Sequence, residues 1–279
     1  MKKIIAIQGA KGSNHHKVAL AMYGNETSIH ECLSFDSLVD SLLNGTSHLG
    51  IMALENTIAG SIIPNYALID HHHLYICDEY YLPIHHHLMA LPGQQITEIK
   101  EVCSHPMALL QCKLFFKKHP HIKLVEDVDT AEVAKRISEQ KLRGIAAIAP
   151  KIAAALFRLE VLEDEIQTIK NNATRFVIVR KKEAIDKAHK SKATIDKASL
   201  KFELNHKRGS LAAILNVMSD CKLNLTKIQS LPKIETLWKY VFFVDVTFDV
   251  PEDYKKAKEI IQVMAEDFKI LGEYKNGKK

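Results

Sequence analysis

Residues 3–23, KIIAIQGAKGSNHHKVALAMY, decide the expected fold of the N-terminal half. The apolar run Lys3–Ile7 predicts a β-strand, the glycine-containing stretch Gln8–Ser13 predicts a turn, and His15–Tyr23 has the composition of a helix. The same alternation continues with a helix over Ser37–Leu43, a strand over Leu49–Leu54 and a helix within Ile58–Ile69. Strands that alternate with helices predict an α/β lobe.

A second α/β lobe is predicted after about residue 100. Two extended segments, Leu74–Cys77 and Tyr81–Leu91, leave little room for a helix between them, and we expect them to cross between the lobes. The later elements are strands at Val102–Cys103, Lys123–Glu126, Ile145–Ala147 and Phe176–Val179, and helices at Pro106–Lys117, Thr130–Glu139 and Pro150–Phe157. Two lobes around a cleft are a usual place for a small ligand.

Residues 198–279 predict a second, smaller domain. The lysine-rich segment 181–197, KKEAIDKAHKSKATIDK, lacks a sustained apolar stripe and is typical of a linker, which leaves residues 1–180 as the first domain. The elements after it are a strand at Ser199–Leu204, a helix at Gly209–Cys221, strands at Asn224–Gln229 and Trp238–Phe248, a helix at Pro251–Phe268 and a strand at Ile270–Tyr274. This order, βαββαβ, indicates a ferredoxin-like module.

The composition indicates a soluble globular protein, since hydrophobic residues make up 47% and charged residues 25% of the 279 positions. The net charge of +5 comes largely from Lys181–Lys201 and Lys275–Lys279. No basic stripe interleaves with aromatic residues, so we do not expect nucleic-acid binding.

The five cysteines are scattered, odd in number and without a CxxC pair, which is typical of reduced thiols in the cytosol. The N-terminal apolar run turns polar at Gln8, too early for an export signal or a membrane span. We therefore expect a cytoplasmic chain that does not associate with membranes.

Four polar clusters are expected at strand ends or helix starts, where outward-pointing backbone N–H groups favour anions. They are Gly12–His15, Glu55–Thr57 with Gly60–Ser61, Ser104–Pro106 and Asn172–Phe176. A lone serine or threonine before a helix is most often an N-cap, so each cluster alone is weak evidence for a ligand site.

These clusters lie in four of seven segments that are similar, in order, to the signatures of prephenate dehydratases. The segments are GAKGSNHHKVA (9–19), ALENTIAGSI (53–62), LPIHHHL (82–88), SHPMALLQC (104–112), DTAEVA (129–134), AAIAPKIAAALFRLEVL (146–162) and NATRF (172–176). The chain departs from the usual family pattern at Ala10, Asn14, His15 and Met107.

The resemblance implies a two-lobed, periplasmic-binding-protein-like α/β region that converts prephenate to phenylpyruvate, in the biosynthesis of phenylalanine, without a cofactor. In this reaction the ring loses its carboxylate as carbon dioxide and its 4-hydroxyl as water. The protein must hold a dianion and donate a hydrogen bond or proton to the departing hydroxyl.

The resemblance places the essential threonine of the family's Thr-Arg-Phe motif at Thr174, which we expect to serve the leaving hydroxyl. We expect Arg175 to bind the side-chain carboxylate, because a clamp on the ring carboxylate would stabilise charge that disappears in the transition state. Asn56 is a candidate for hydrogen bonding to a hydroxyl or keto oxygen, and Glu55 for orienting Arg175 or sharing a proton. The other candidate substrate-binding residues are Ser13, Thr57, Ser61, Ser104, Thr130 and Phe176, and helix capping is the alternative role of the hydroxyl residues.

The histidine runs His71–His73 and His85–His87 do not predict a metal site. Neighbouring side chains of an extended segment point to alternate faces, so three adjacent imidazoles cannot converge on one ion. For His85 and His86, which match the family's LPI-His segment, structural hydrogen bonding at the lobe crossing is the expectation.

The C-terminal module resembles an ACT domain, an amino-acid-sensing module. Arg208–Leu211 is similar to its Gly-Ala-Leu motif, whereas Gln229–Pro232 stands where many relatives have Glu-Ser-Arg-Pro. The resemblance implies that L-phenylalanine binds between paired ACT domains as an allosteric effector, so we expect a homodimer or homotetramer. The candidate effector residues are Gly209, Ser210, Leu211, Gln229 and Ser230.

Two other functions are compatible with the sequence. One is arogenate dehydratase, the same chemistry on an amino acid. The other is a non-catalytic amino-acid or keto-acid binding protein, because two lobes around a cleft also describe solute-binding modules. The intact Thr174–Phe176 motif favours an enzyme.

Overall fold

The computed structural model describes residues 3–184, 195–205, 207–233 and 239–278. In this described part, one compact unit comprises residues 3–65 and 80–176, and a second comprises residues 66–79 and 177–278. No helix among the described residues has both the length and the apolar character needed to cross a membrane.

The first sheet of the first unit is built around parallel strands. Its elements, with those that follow them in the chain, are β1 (Ile4–Gln8), α1 (Asn14–Tyr23), β2 (Ser28–Cys32), α2 (Phe35–Leu43), β3 (Leu49–Asn56), β4 (Gly60–Ser61), α3 (Ile63–His71) and β5 (Leu74–Pro83). Strand β1 pairs in parallel with β2 and β3, and β4 folds back on β3. Ile5, Ala6 and Ile7 are fully buried, as expected for a parallel strand covered on both faces.

A second, five-stranded sheet of the first unit has the order β10-β6-β9-β7-β8. Its elements are β6 (His87–Ala90), β7 (Glu101–Ser104), α4 (Pro106–Gln111), α5 (Lys113–Phe116), β8 (Lys123–Glu126), α6 (Thr130–Gln140), β9 (Ile145–Ala149), α7 (Lys151–Phe157) and β10 (Glu160–Glu163). The chain then returns in β11 (Ala173–Lys181), which lies next to β3 in the strand order of the first sheet. The predicted two-lobed α/β region is confirmed.

The glycine turn after β1 brings the two lobes of this unit into contact. A Cβ atom on Gly9 would lie 2.6 Å from Asp129 Oδ2, just before α6, and one on Gly12 would lie 3.3 Å from the Cα of Ala153 in α7. Both glycines have a positive φ, +85° and +97°, which side chains rarely adopt. The turn therefore needs glycine for its conformation and for the close approach of the other lobe.

The second unit contains the predicted βαββαβ order. Its elements are β12 (Lys197–Glu203), α8 (Ser210–Asp220), β13 (Asn224–Pro232), β14 (Tyr240–Thr247), α9 (Pro251–Met264) and β15 (Asp267–Tyr274). The strands have the order β13-β14-β12-β15, and Gly272 of β15 pairs with Ile76 of β5. Leu200 and Phe202 of β12 pack with Ile214 of α8 and Ile261 of α9 in one apolar core.

Strand β12 is buried on both faces. The face opposite its apolar core carries Lys197, Ser199 and Lys201. Lys197 Nζ lies 2.9 Å from each carboxylate oxygen of Glu79 in β5, and both side chains are almost completely buried. Lys201 Nζ lies 3.4 Å from Asp70 Oδ2.

Several predicted boundaries were wrong. Residues 58–62 are a turn and the short strand β4 instead of the start of a helix, because the Asn56 side chain accepts the N–H groups of Ile58 and Ala59. The predicted helix Pro106–Lys117 breaks at Cys112. The break between the extended segments follows Pro83 instead of Cys77, and strand β10 was not predicted.

In the C-terminal module, α9 ends at Met264, and Phe268 lies in β15 instead of the helix. Most of the predicted linker 181–197 falls outside the described residues; Lys181 ends β11 and Lys197 begins β12. Trp238, predicted to begin a strand, also lies outside the described residues.

Candidate active site

Asn56, the last residue of β3, has its amide orientation fixed by the backbone. Its Oδ1 atom accepts hydrogen bonds from the N–H groups of Ile58 and Ala59, each at 2.9 Å. Backbone N–H groups only donate, so the oxygen must lie on this side. The Nδ2 amide group therefore points the other way, towards β11.

Thr174 receives one hydrogen of this amide. Asn56 Nδ2 lies 2.7 Å from Asn172 Oδ1, 2.9 Å from Thr174 Oγ1 and 3.3 Å from the Ala173 carbonyl oxygen, and the two shorter bonds use its two hydrogens. Because Thr174 Oγ1 is an acceptor here, the hydrogen of the hydroxyl remains for another partner. The arrangement presents Thr174 as a hydrogen-bond donor.

Thr57 fastens the end of β11 to the segment that follows β3. Its Oγ1 atom accepts the N–H of Ala173 at 3.0 Å, and its own N–H donates to the Ala173 carbonyl at 3.0 Å. The structure thus brings Thr174 together with two other predicted residues, Asn56 and Thr57, which lie more than 110 positions earlier in the chain.

The polar network continues from Asn172 into the second lobe. Asn172 Nδ2 donates to Gln111 Oε1 at 2.9 Å, and His86 Nε2 lies 2.8 Å from the same oxygen. Asn172 and His86 are buried, with exposed fractions of 2% and 6%. Gln111 and Asn172 were not among the predicted site residues, although both lie inside the matched segments 104–112 and 172–176.

Three predicted hydroxyl residues do not join this network. Ser13 is the N-cap of α1 and accepts the N–H of His16 at 3.3 Å. Ser104 is fully buried and donates to the Ile148 carbonyl at 2.8 Å. Thr130 is the first residue of α6. A further candidate, Ser61, pairs with Glu55 in the β3–β4 hairpin.

Asp129 forms a contact between the two lobes that the sequence analysis did not predict. As N-cap of α6 it accepts the N–H groups of Ala131 and Glu132 at 2.9 Å each. Burial raises the pKa of this carboxyl, while its hydrogen bonds, which include the N–H of Ala10 in the other lobe, act in the opposite direction. Asp129 therefore links the glycine turn to the start of α6.

Arg175 and Phe176 continue β11 beyond Thr174. Arg175 is buried, with an exposed fraction of 3%. Because successive side chains of a strand point to opposite faces, Phe176 shares the face of Thr174 and Arg175 does not. The Phe176 ring lies edge-on to His15 at a centroid distance of 5.0 Å.

His15 is a buried neutral imidazole. Burial lowers its pKa from 6.5 to about 3. Its Nε2 atom has no hydrogen-bond partner among the described residues, and its ring packs against Phe35 as well as Phe176. The sequence placed His15 in a polar cluster and marked it as a departure from the family pattern, but it did not predict a buried neutral ring.

The three histidines His85–His87 have separate partners. His85 Nδ1 lies 3.2 Å from Glu165 Oε1, His87 Nδ1 lies 2.8 Å from Asp164 Oδ1, and His86 contacts Gln111. Within the part of the chain that the structure describes, no three His, Cys, Asp or Glu side chains are grouped so that they could hold a metal ion.

The candidate effector residues lie in the second unit. Gly209 precedes α8 with a φ of +80°, and a Cβ atom there would meet nothing within 4 Å. Ser210 and Leu211 line a cavity of about 160 Å3 together with Tyr240 and other residues. Gln229 and Ser230 lie on β13, at the end of the strand order.

The family is decided by comparison with known proteins. Residues 5–184 match the family model of prephenate dehydratase. The chain belongs to the prephenate dehydratase family. The prephenate dehydratase of Methanocaldococcus jannaschii is 32% identical over 283 residues, which cover 98% of each chain.

Two other members extend the comparison. Arogenate dehydratase/prephenate dehydratase 2 of Arabidopsis thaliana is 29% identical over 280 residues, which cover 97% of this chain and 72% of that one. The crystal structure of a prephenate dehydratase from Arthrobacter aurescens in complex with L-Phe has a TM-score of 0.87 and 24% identity, and the match covers 98% of this chain and 90% of that one. The fold is thus shared over almost the whole chain.

Proposed function

We propose that this chain is a prephenate dehydratase that converts prephenate to phenylpyruvate. The bond from the ring to its carboxylate breaks, carbon dioxide leaves, and the electron pair enters the ring. The bond from C4 to the hydroxyl oxygen breaks with it, and that oxygen takes up a proton from solvent to leave as water. The family membership and the geometry around Thr174 support this reaction, which needs no redox partner.

The orientation of the Thr174 hydroxyl is the observation that carries the proposal. Since Oγ1 accepts from Asn56, its hydrogen is directed elsewhere, and we propose that it is donated to the departing 4-hydroxyl group. Threonine is a poor acid, so its contribution is a fixed dipole at the oxygen where charge develops. A donor in this role is worth about 3 kcal/mol of transition-state stabilisation.

We propose that Arg175 binds the carboxylate that survives in phenylpyruvate. A guanidinium offers a planar pair of donors to a carboxylate. Its place on the opposite face of β11 from Thr174 supports a role away from the breaking bonds. In the same proposal Glu55 orients Arg175, Asn56 and Thr57 orient Thr174, and Phe176 forms an apolar wall. Ser13, Ser61 and Thr130 offer hydroxyl groups to the substrate in this proposal, whereas the Ser104 hydroxyl donates to the Ile148 carbonyl.

An assay of the purified full chain with prephenate and arogenate, side by side, tests the reaction. We expect phenylpyruvate from prephenate at the higher kcat/KM. Phenylalanine from arogenate at the higher kcat/KM would instead make the chain an arogenate dehydratase, an activity named for the Arabidopsis relative. Binding of either compound without turnover would indicate a non-catalytic binding protein.

We also propose that residues 198–279 are an ACT domain that binds L-phenylalanine and inhibits residues 1–180, joined by the linker 181–197, in a cytoplasmic homodimer or homotetramer. The βαββαβ order and the cavity beside Ser210 support this assignment. The L-Phe complex of the Arthrobacter relative supports the choice of effector.

Gly209→Trp in the full chain tests the effector site. A bulky side chain at the start of α8 would block the approach of an amino acid, so inhibition by phenylalanine weakens while activity without effector persists. Calorimetry that detects no phenylalanine binding to the intact chain would contradict the effector assignment.

A further inference from the structure

His86 terminates the hydrogen-bond chain that orients Thr174. From the backbone N–H groups of Ile58 and Ala59, donors and acceptors are fixed in turn at Asn56 and Asn172. Asn172 then uses its Nδ2 group to donate to Gln111 Oε1. The orientation of the Gln111 amide follows from this sequence of bonds and is not a free choice.

This series of hydrogen bonds also fixes the tautomer of His86. Gln111 Oε1 carries no hydrogen, so the 2.8 Å contact with His86 Nε2 requires the hydrogen to sit on Nε2. Burial lowers the pKa of His86, which favours the neutral ring with a single N–H. Its Nδ1 atom is buried without a hydrogen-bond partner among the described residues. The ring therefore donates its only N–H group to Gln111.

Gln111 Oε1 accepts from two directions, and this saturates its lone pairs. If the His86 donor were lost, the Gln111 amide could turn and place its own N–H2 against the N–H2 of Asn172. Two facing donors repel, so Asn172 would have to turn as well. Asn56 would then lose its acceptor at Asn172, although Ile58 and Ala59 still hold its oxygen, and its Nδ2 group would shift from the position in which it donates to Thr174 Oγ1.

We propose that His86 is a positioning residue for the dehydration step: its Nε2–H holds Gln111 and, through Asn172 and Asn56, keeps the Thr174 hydroxyl directed as a donor. The inference rests on the proposed function of Thr174. It assigns to one member of the histidine run a role that the other two do not share, because His85 and His87 contact Glu165 and Asp164 instead.

The test compares substitutions of His86 that differ in the position of a side-chain N–H donor. In His86→Gln the amide N–H2 group lies at the distance from Cα at which histidine has Nε2. In His86→Asn it lies at the distance at which histidine has Nδ1, and His86→Leu has no side-chain donor. The backbone N–H of residue 86 remains bonded to Gln167 Oε1 in all three. His87→Leu is the control for loss of a neighbouring imidazole.

We expect His86→Leu and His86→Asn to lower kcat for prephenate by roughly 10- to 100-fold with a smaller change in KM, since misplacement of a reacting group costs turnover. His86→Gln recovers most of the loss, and His87→Leu leaves kcat near that of the wild type. An equal kcat in the three His86 variants would overturn the inference.

Nitrogen NMR of the wild-type protein separates this inference from the proposed function. We expect His86 to carry its hydrogen on Nε2, and a hydrogen on Nδ1 would overturn the inference whatever the activity. This measurement on the wild-type protein also tests the inference if the His86→Leu variant does not fold. A wild-type chain that shows the Nε2–H tautomer but does not turn over prephenate would refute the proposed function instead.

Discussion

At the scale of single residues, the direction of one hydrogen bond gives Thr174 its proposed role. A threonine hydroxyl both donates and accepts, and its neighbour decides which it does. Asn56 donates to Thr174 Oγ1 because its own oxygen is held by two backbone N–H groups. The chemistry at Thr174 thus depends on a residue 118 positions away.

Asn56→Asp tests this dependence with almost no change in shape. The carboxylate still accepts the N–H groups of Ile58 and Ala59, but it also accepts from Thr174, so the hydroxyl hydrogen turns away from the substrate. We expect kcat for prephenate to fall by about 100-fold, as for loss of a transition-state donor. Asn44→Asp, at an exposed site where the side-chain oxygen only accepts, adds the same charge and should leave kcat unchanged.

His15 predicts a pH dependence of stability. Its pKa is near 6.5 in the unfolded chain and about 3 in the folded one, so the unfolded state binds more protons between these values. The free energy of unfolding therefore decreases as the pH falls below 6.5, with His15 accounting for about 2 kcal/mol by pH 5.

Urea unfolding of wild type and His15→Ser at pH 8 and pH 5 measures this contribution. The variant loses packing at both pH values, but its free energy of unfolding should fall less between pH 8 and pH 5 than that of the wild type. The difference should equal the contribution of His15. His121→Ser, at an exposed position, serves as control. Equal decreases in wild type and His15→Ser would show that His15 is not buried as a neutral ring.

At the scale of helices and strands, local pattern predicted most elements and failed where a distant partner decides. The strand Lys123–Glu126 and the start of α6 at Thr130 follow from their own residues. Residues 58–62 form a turn because of the Asn56 side chain, and Phe268 joins β15 because it pairs with Phe202 of β12. Neither partner is visible in the local periodicity.

The candidate site shows the same division. Motifs placed Asn56, Thr57 and Thr174 in one site, and the structure brings these three together. The motifs did not identify Gln111, His86 or Asp129 as partners, because hydrogen bonds between the lobes produce no periodic pattern in the sequence. They also could not show that Ser104 has its donor committed to the Ile148 carbonyl.

The glycine turn after β1 gives a prediction about lobe contact. Gly9→Ala forces a side chain into a positive φ and places Cβ 2.6 Å from Asp129 Oδ2. Gly24→Ala has a similar φ, +81°, but nothing within 4 Å of its Cβ, so it carries the backbone strain alone, about 1–2 kcal/mol.

We expect Gly9→Ala to be less stable than Gly24→Ala and to raise KM for prephenate, because the lobes no longer meet at the turn. Gly24→Ala should keep the wild-type KM. Thermal unfolding and steady-state kinetics of both variants provide the comparison. The same KM in both would mean that the contact between Gly9 and Asp129 has no part in substrate binding.

At the scale of the whole molecule, the second unit combines residues 66–79 with the C-terminal module, an arrangement that the domain boundaries predicted from sequence did not anticipate. The ion pair between Glu79 and Lys197 joins positions 118 apart, and Gly277 also donates its N–H to Glu79 at 2.9 Å. Removal of residues after 190 would therefore strip partners from β5 as well as delete a domain.

The Glu79–Lys197 pair should matter far more than an ion pair at the surface. Lys197→Met removes this buried cation from Glu79, and we expect a loss of about 3–5 kcal/mol in the free energy of unfolding. Lys123→Met removes the exposed pair with Glu101, where the side chains are 71% and 38% exposed, and should cost less than about 1 kcal/mol. Urea unfolding of both variants checks the difference, and similar losses would contradict the burial of the pair.

We propose that the Thr174 hydroxyl donates a hydrogen bond to the departing hydroxyl group of prephenate. The most direct measurement is kcat for prephenate in wild type, Thr174→Ser and Thr174→Ala, with substrate affinity followed separately by calorimetry. We expect Thr174→Ala to lose about 100- to 1,000-fold in kcat with little change in affinity, and Thr174→Ser, which keeps a hydroxyl, to lose far less. Near-native turnover by Thr174→Ala would contradict it.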